Sequence, residues 1–208
     1  MNLIYEGAKT GIMKKIFWLF LIVCDVIIVA FVYSKTINSE LSENLLRLHV
    51  IANSNSDYDI SMKYEVRDKI NEWIAEEHFS GKEEVVDKLF TIENKINEYL
   101  LTKDAEYGCD IIYTVSDFPK KQYDNIVMPS GKYECIKAVL GEGKGENWWC
   151  IAYPPLCFTE AVTGALSEKG DDKLKAELSD DAYEIIRSSK SKYKIKFFTV
   201  DLINKYFN

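Results

Sequence analysis

Three sets of residues have types and spacings that chemistry could use. His49 sits in an apolar run and is followed closely by Asn53, Ser54 and Ser56. A histidine near hydroxyls is the raw material of a hydrolytic site, where it would serve as general base toward a nucleophile. Such a site also needs a carboxylate that converges on the imidazole. The chain carries neither a Gly-x-Ser-x-Gly elbow nor a His-Glu-x-x-His pair. His49 therefore reads as a structural residue supporting the Asn53–Ser56 turn, and a hydrolase acting through His49 stands as an alternative. The second set is Gly141-x-Gly143-x-Gly145. A phosphate cradle of that type follows a buried strand and opens a helix whose amides face the anion. Here Glu142 and Glu146 put negative charge into the loop, and strand-like tryptophans follow. A connecting loop is expected, with no nucleotide and no other cofactor. The third set is Cys150 and Cys157, which bracket Pro154-Pro155. The prolines can fold the chain back, so a disulfide is expected there outside the cytoplasm. Cys109 and Cys135 lie on different expected strands and read either as a second pair or as two buried thiols. With no Cys-x-x-Cys and only two histidines, no metal site is expected; His78, beside Glu76 and Glu77, reads as helix-terminal.

The elements that must position these residues follow from the charge and hydropathy pattern. Residues 16–33 read IFWLFLIVCDVIIVAFVY, with Asp25 the single charge, and Lys9, Lys14 and Lys15 precede them. A basic start before such a run is a signal or a membrane anchor, with residues 1–15 in the cytoplasm and the rest outside it. Met13-Lys14-Lys15 would make a conventional start by itself, and no clear Ala-x-Ala follows the run, which favours an uncleaved anchor. Residues 34–44 are polar and read as a linker entering a short helix. An extracytoplasmic domain is expected over residues 45–208. The net charge of −7 argues against a nucleic-acid partner.

Within that domain, residues 45–52 alternate as a strand, with Leu46, Leu48, Val50 and Ala52 on one face and Arg47, His49 and Ile51 on the other. Two helices follow, over about 57–79 and 83–101, as an antiparallel hairpin broken near Gly81. Strand patterning then runs from residue 108 to 153, and the glycine loop reads most simply as the turn of a β-hairpin. Helix is expected again at 158–166 and 172–188, and a last strand at 191–198. Helices followed by antiparallel strands indicate an α+β fold. Trp148 and Trp149 are adjacent, so a strand would point them to opposite faces. Either one is left for a partner, since tryptophan is enriched at interface hot spots, or both are core residues and the loop only turns the chain around them. The expected partner surface comprises Gly141, Glu142, Gly143, Lys144, Gly145, Asn147, Trp148 and Trp149, with Arg47, His49, Asn53 and Ser54 beside it. A cell-wall or membrane-surface binding module is a further alternative.

Several blocks carry a family resemblance. They are Leu46-Arg-Leu-His-Val-Ile-Ala-Asn-Ser54, Val66-Arg67-Asp68, Phe118-Pro119, Gly131-x-Tyr133-Glu134, Gly141-Glu-Gly-Lys-Gly-Glu-Asn-Trp-Trp-Cys150 and Pro154-Pro-Leu-Cys-Phe158. In this order they resemble the stage II sporulation protein R family. Asn55 stands where the family pattern usually carries aspartate, and Cys135 where a small residue is expected. The resemblance implies a protein exported from the forespore into the space between the septal membranes. There it would act as a signal, not an enzyme. It would activate a membrane-embedded aspartic protease in the opposing membrane, which processes the sigma-E precursor.

Overall fold

The computed structural model describes residues 2–123, 126–156 and 168–187. The chain enters through one continuous helix, α1 (Asn2–Asn44). Its stretch from Met13 is long and apolar enough to cross a membrane, with a mean hydropathy of 2.7 in its most apolar window, none of which is buried by the rest of the chain. Eighteen residues of helix rise about 27 Å, close to the hydrocarbon thickness of a bilayer. The segment 34–44, expected as a linker, continues this helix. Lys35, Thr36, Ser39 and Glu43 face outward, while Ser34, Ile37 and Leu41 are buried. The linker reading missed this because two apolar residues four apart are a thin signal in a polar stretch.

The domain is α+β, as expected. Strand β1 (Leu46–Ile51) leads to α2 (Asp57–Glu76), then α3 (Lys82–Asp87) and α4 (Leu89–Thr102). The second arm of the expected helical hairpin is thus broken in two at Lys88, whose φ of −100° and ψ of 5° depart from the helix. The strands β2 (Cys109–Phe118), β3 (Lys121–Tyr123), β4 (Ile126–Met128), β5 (Gly131–Leu140) and β6 (Asn147–Tyr153) follow, and α5 (Glu168–Glu177) and α6 (Asp180–Arg187) close the described chain. The helix expected at 158–166 and the strand at 191–198 lie outside the described residues, as does Cys157.

The main sheet has the order β2-β5-β1-β6, while β3 and β4 form a separate two-stranded ribbon. β1 runs parallel to β5 and antiparallel to β6, so the sheet is mixed. The expected hairpin across the glycine loop is therefore corrected, because β1 lies between the two strands that the loop joins. The physical reason is burial. Leu46, Leu48, Val50 and Ala52 are wholly enclosed on one face, and Arg47 and His49 are buried on the other, so β1 belongs at the centre of the sheet. The loop must then span two strand spacings, about 10 Å, instead of one.

Each face of the sheet carries a core. On one side α2 and α4 lay Met62, Val66, Ile70, Ile74, Ile92, Ile96 and Leu100 over Leu46, Leu48, Val50, Ile136 and Leu140. On the other, Ile37, Leu41 and Leu45 join Phe118, Ile126, Met128, Tyr133, Ile151, Leu174, Tyr183 and Ile186. The end of the apolar helix is thus part of the second core. Replacing Leu41 with alanine in the full-length chain is expected to lower stability by about 2–5 kcal/mol, the range for truncating an enclosed leucine. Urea denaturation in detergent measures this, and a free linker would leave the midpoint unchanged.

Candidate functional site

The site is built where the loop 141–146 crosses the end of β1. Gly145 N donates to Ala52 O at 2.9 Å and Lys144 N to Asn53 O at 3.0 Å, while Ala52 N donates to Glu146 O at 3.2 Å. Asn53 Oδ1 accepts from Glu142 N at 2.9 Å. The loop is therefore tied through its backbone to residues 52–53. Gly141 and Gly143 adopt φ of 52° and 61°, where a side chain is strained. Gly145 is required for a different reason. A Cβ there would lie 2.2 Å from the Ser54 carbonyl oxygen, so only glycine permits the close approach.

Asp59 holds the other side of this junction. It is buried in the first turn of α2, accepting from Ser54 Oγ at 2.5 Å, Asn53 Nδ2 at 3.0 Å and Tyr107 OH at 2.5 Å. Ser56 caps α2 by accepting from Asp59 N at 3.1 Å. Burial pushes the Asp59 carboxyl up, but its hydroxyl and amide donors outweigh this and hold it below its ordinary value. The phenol of Tyr107 is driven up by burial and by this same carboxylate. Asp59, Lys63, Arg67 and Asn71 are all buried and spaced four apart, so they form one polar stripe along α2. The stripe runs beneath the start of β6. Lys63 Nζ lies 3.8 Å from Glu146 Oε2, and the Arg67 guanidinium sits 4.5 Å from the Trp148 ring centre and 5.0 Å from that of Tyr64. Burial pushes the Lys63 ammonium down, Glu146 opposes this, and Arg67 adds to it.

The two tryptophans separate as strand alternation requires. Trp148 packs on the helical side, edge-on to Tyr64. Trp149 lies on the opposite face, stacked on His49 with ring centres 3.6 Å apart. Both are half-buried. The sequence reading of one anchored and one free indole is thereby altered, because each face of β6 has its own aromatic partner. His49 does not support the Asn53–Ser56 turn, which rests on Asp59. Its Nε2 is 2.7 Å from Asn147 Oδ1, so Nε2 donates to the amide oxygen and the imidazole steadies the start of β6. No carboxylate among the described residues bonds it.

Arg47, expected at the partner surface, is fully enclosed, and His49 is nearly so. The Arg47 Nε donates to Cys150 O at 2.8 Å and its Nη2 to Tyr123 OH at 3.2 Å, with the Phe118 and Tyr133 rings 4.4 and 4.9 Å away. Tyr123 OH donates onward to Trp149 O at 2.9 Å. Arg47 thus ties β1, β6 and β3 together and is removed from the outer surface by aromatic burial. Glu142 and Lys144 remain exposed and pair with each other at 2.7 Å. Cys109 and Cys135 are free, buried thiols on β2 and β5, not a second pair. Burial drives the Cys109 thiol up to about 12, and burial raises that of Cys135. Sequence reasoning passed over Asp59, Lys63, Tyr64, Arg67 and Tyr107 as site residues. The four-residue spacing of charged and amide side chains beside the apolar stripe was the signal available.

The family pattern of "Stage II sporulation protein R" matches residues 42–163. The chain belongs to that family. A curated member, "Stage II sporulation protein R" of Bacillus subtilis (strain 168), is 30% identical over 189 residues, covering 81% of this chain and 84% of the relative. No solved structure matches the chain. The family match takes in β1, the Asp59 junction, the glycine loop and β6, so every contact of the site lies within it. Membership in the family makes this a sporulation protein.

Two outcomes are expected from the site. Gly145→Ala forces the loop off Ser54 and should cost about 1–3 kcal/mol, as overpacking does, read as a lowered thermal midpoint. The pH dependence separates His49 from Asp59. Burial, the largest cause, and Lys137 lower the His49 value against the pull of Asn147. The fold therefore favours neutral imidazole, and this contribution is present above about pH 6.5 and declines as pH falls below it. His49→Gln should flatten stability between pH 7.5 and 5, measured by denaturant midpoints, with a slope unchanged from the native chain as the contrary result. Asp59, held low, contributes above its unfolded value near 3.8 and is lost only at lower pH.

Proposed function

We propose that this chain is the exported signal that switches on a membrane-embedded aspartic protease in the opposing septal membrane, leading to processing of the sigma-E precursor. Membership in the stage II sporulation protein R family carries this reading. The helix from Met13, long and apolar enough to cross a membrane, supports export with anchoring in the forespore membrane or release by cleavage. The chain acts in this reading as a ligand. His49, the residue a hydrolase would need, is bonded to an amide and covered by an indole.

The contact surface is assigned to the exposed loop residues Glu142 and Lys144, with Trp148 beside them. A loop tied down by its backbone loses little freedom on binding, so its exposed side chains are presented ready for a partner. A Cys150–Cys157 disulfide would further secure the chain after β6 in the oxidising space, by roughly 2–2.5 kcal/mol for so short a loop.

The test is reconstitution of the full chain, the candidate protease and the precursor in opposing membranes. The native chain should start precursor processing; none at all with all components folded would overturn the activator reading. The double variant Glu142→Ala, Lys144→Ala should reduce processing about tenfold or more, a loss of hot-spot size. Its circular dichroism and thermal midpoint should match the native chain. Full processing by the folded double variant would keep the activator reading and move the contact elsewhere.

A further inference from the structure

Among the described residues, the free edge of β2 is protected along only half its length. β5 pairs with β2 through ten consecutive positions without a register shift, and nothing among the described residues pairs with the other side. At the first half, α4 takes up the outward backbone groups. Asn97 Oδ1 accepts from Cys109 N at 2.8 Å, Asn97 Nδ2 donates to Cys109 O at 2.9 Å, and Glu93 Oε2 accepts from Ile111 N at 3.0 Å. Backbone groups of an antiparallel strand point alternately to its two sides, so the next outward residues are Tyr113, Val115 and Asp117. Apart from the Thr114 hydroxyl, 3.5 Å from the Val115 carbonyl, their backbone groups have no partner among the described residues. Ile112, Tyr113 and Val115 are 50%, 42% and 59% exposed. The strand has no lysine, proline or bulge, the usual devices that keep an edge from pairing.

We propose that this half-edge pairs with the same half-edge of a second copy of the chain, joining two sheets about a twofold axis through Val115. Any strand could satisfy the backbone, but the side chains favour self-pairing. In this register Val115 meets Val115, Thr114 meets Ser116, and Tyr113 meets Asp117 of the second copy. Hydroxyl then faces hydroxyl and the β-branched valine meets its own copy, both favoured cross-strand pairs. Tyr113, Val115 and Asp117 of both copies then exchange six backbone hydrogen bonds. A strand pair alone buries less surface than a standard stable interface, and each copy carries a charge of −7, so the dimer is weak in free solution. Helix α1, if it holds the copies in one membrane, supplies the effective concentration that such a contact needs. The inference does not depend on what the protein signals to.

Cysteine cross-linking of the full-length chain in membranes tests it, in a Cys24→Ser background. Val115→Cys should give a disulfide dimer, because paired positions lie about 5.5 Å apart in Cα. Ile112→Cys is the register control, since its two copies would be about 20 Å apart, six residues along the strands. Several-fold more cross-link at Val115 than at Ile112 is expected. Val115→Lys, which sets like charges together at the axis, should abolish the dimer that amine-reactive cross-linking captures in membranes while leaving the thermal midpoint unchanged. Equal cross-linking at the two positions overturns the proposal. So does a dimer that survives Val115→Lys, a native chain that stays monomeric in membranes, or a monomer whose β2 edge instead takes a strand from a different protein.

Discussion

The backbone of Gly145 lies directly on that of Ala52–Ser54, and much of the domain follows from this contact. A chain that runs from β5 to β6 with β1 between them must cross over the end of β1. It can do so closely only if the crossing point has no side chain. The crossing in turn fixes residues 52–54, which deliver Asn53 and Ser54 to Asp59. Asp59 lies in the first turn of α2, so the orientation of the helical layer on the sheet traces back to one missing Cβ.

The polar groups in this domain are buried in a patterned way. Along α2 they fall every fourth residue, each with its own partners: hydroxyls and an amide for Asp59, the Glu146 carboxylate for Lys63, and aromatic rings with the Asp68 carboxylate for Arg67. On the other side of the sheet Arg47 is matched by one carbonyl oxygen, one phenol oxygen and two aromatic rings, without a carboxylate among the described residues. Such enclosed groups tolerate little displacement, because an enclosed charge that loses its contacts costs more than an exposed one. They make the geometry around β6 specific more than they make it strong.

What was legible in the sequence was local. The opposed tryptophans followed from strand alternation, and helical spacing placed a helix from about residue 57. The α+β class followed from the order of the patterned runs. Strand neighbours were not legible, because the pattern of β1 records that one face is apolar and says nothing of which strands flank it. Arg47 and His49 were misplaced on the surface for a related reason. Their charge and polarity argued for solvent, and only the convergence of Phe118, Tyr123, Tyr133 and Trp149 from distant positions made burial affordable. Family resemblance, carried by the loop and strand motifs, reached further than periodicity because those motifs record the long-range contacts themselves.

The unbroken α1 has a mechanical meaning. A flexible tether would let the domain sweep a wide volume and meet targets at many angles. Here the helix continues from its apolar stretch into the second core, and residues 34–44 raise the chain by about 16 Å. If the apolar stretch spans a bilayer, the domain stands at a set height with a set heading, like a flag on a rigid mast. Its reach across a gap between two membranes is then a fixed length, and the width of that gap decides which faces can meet.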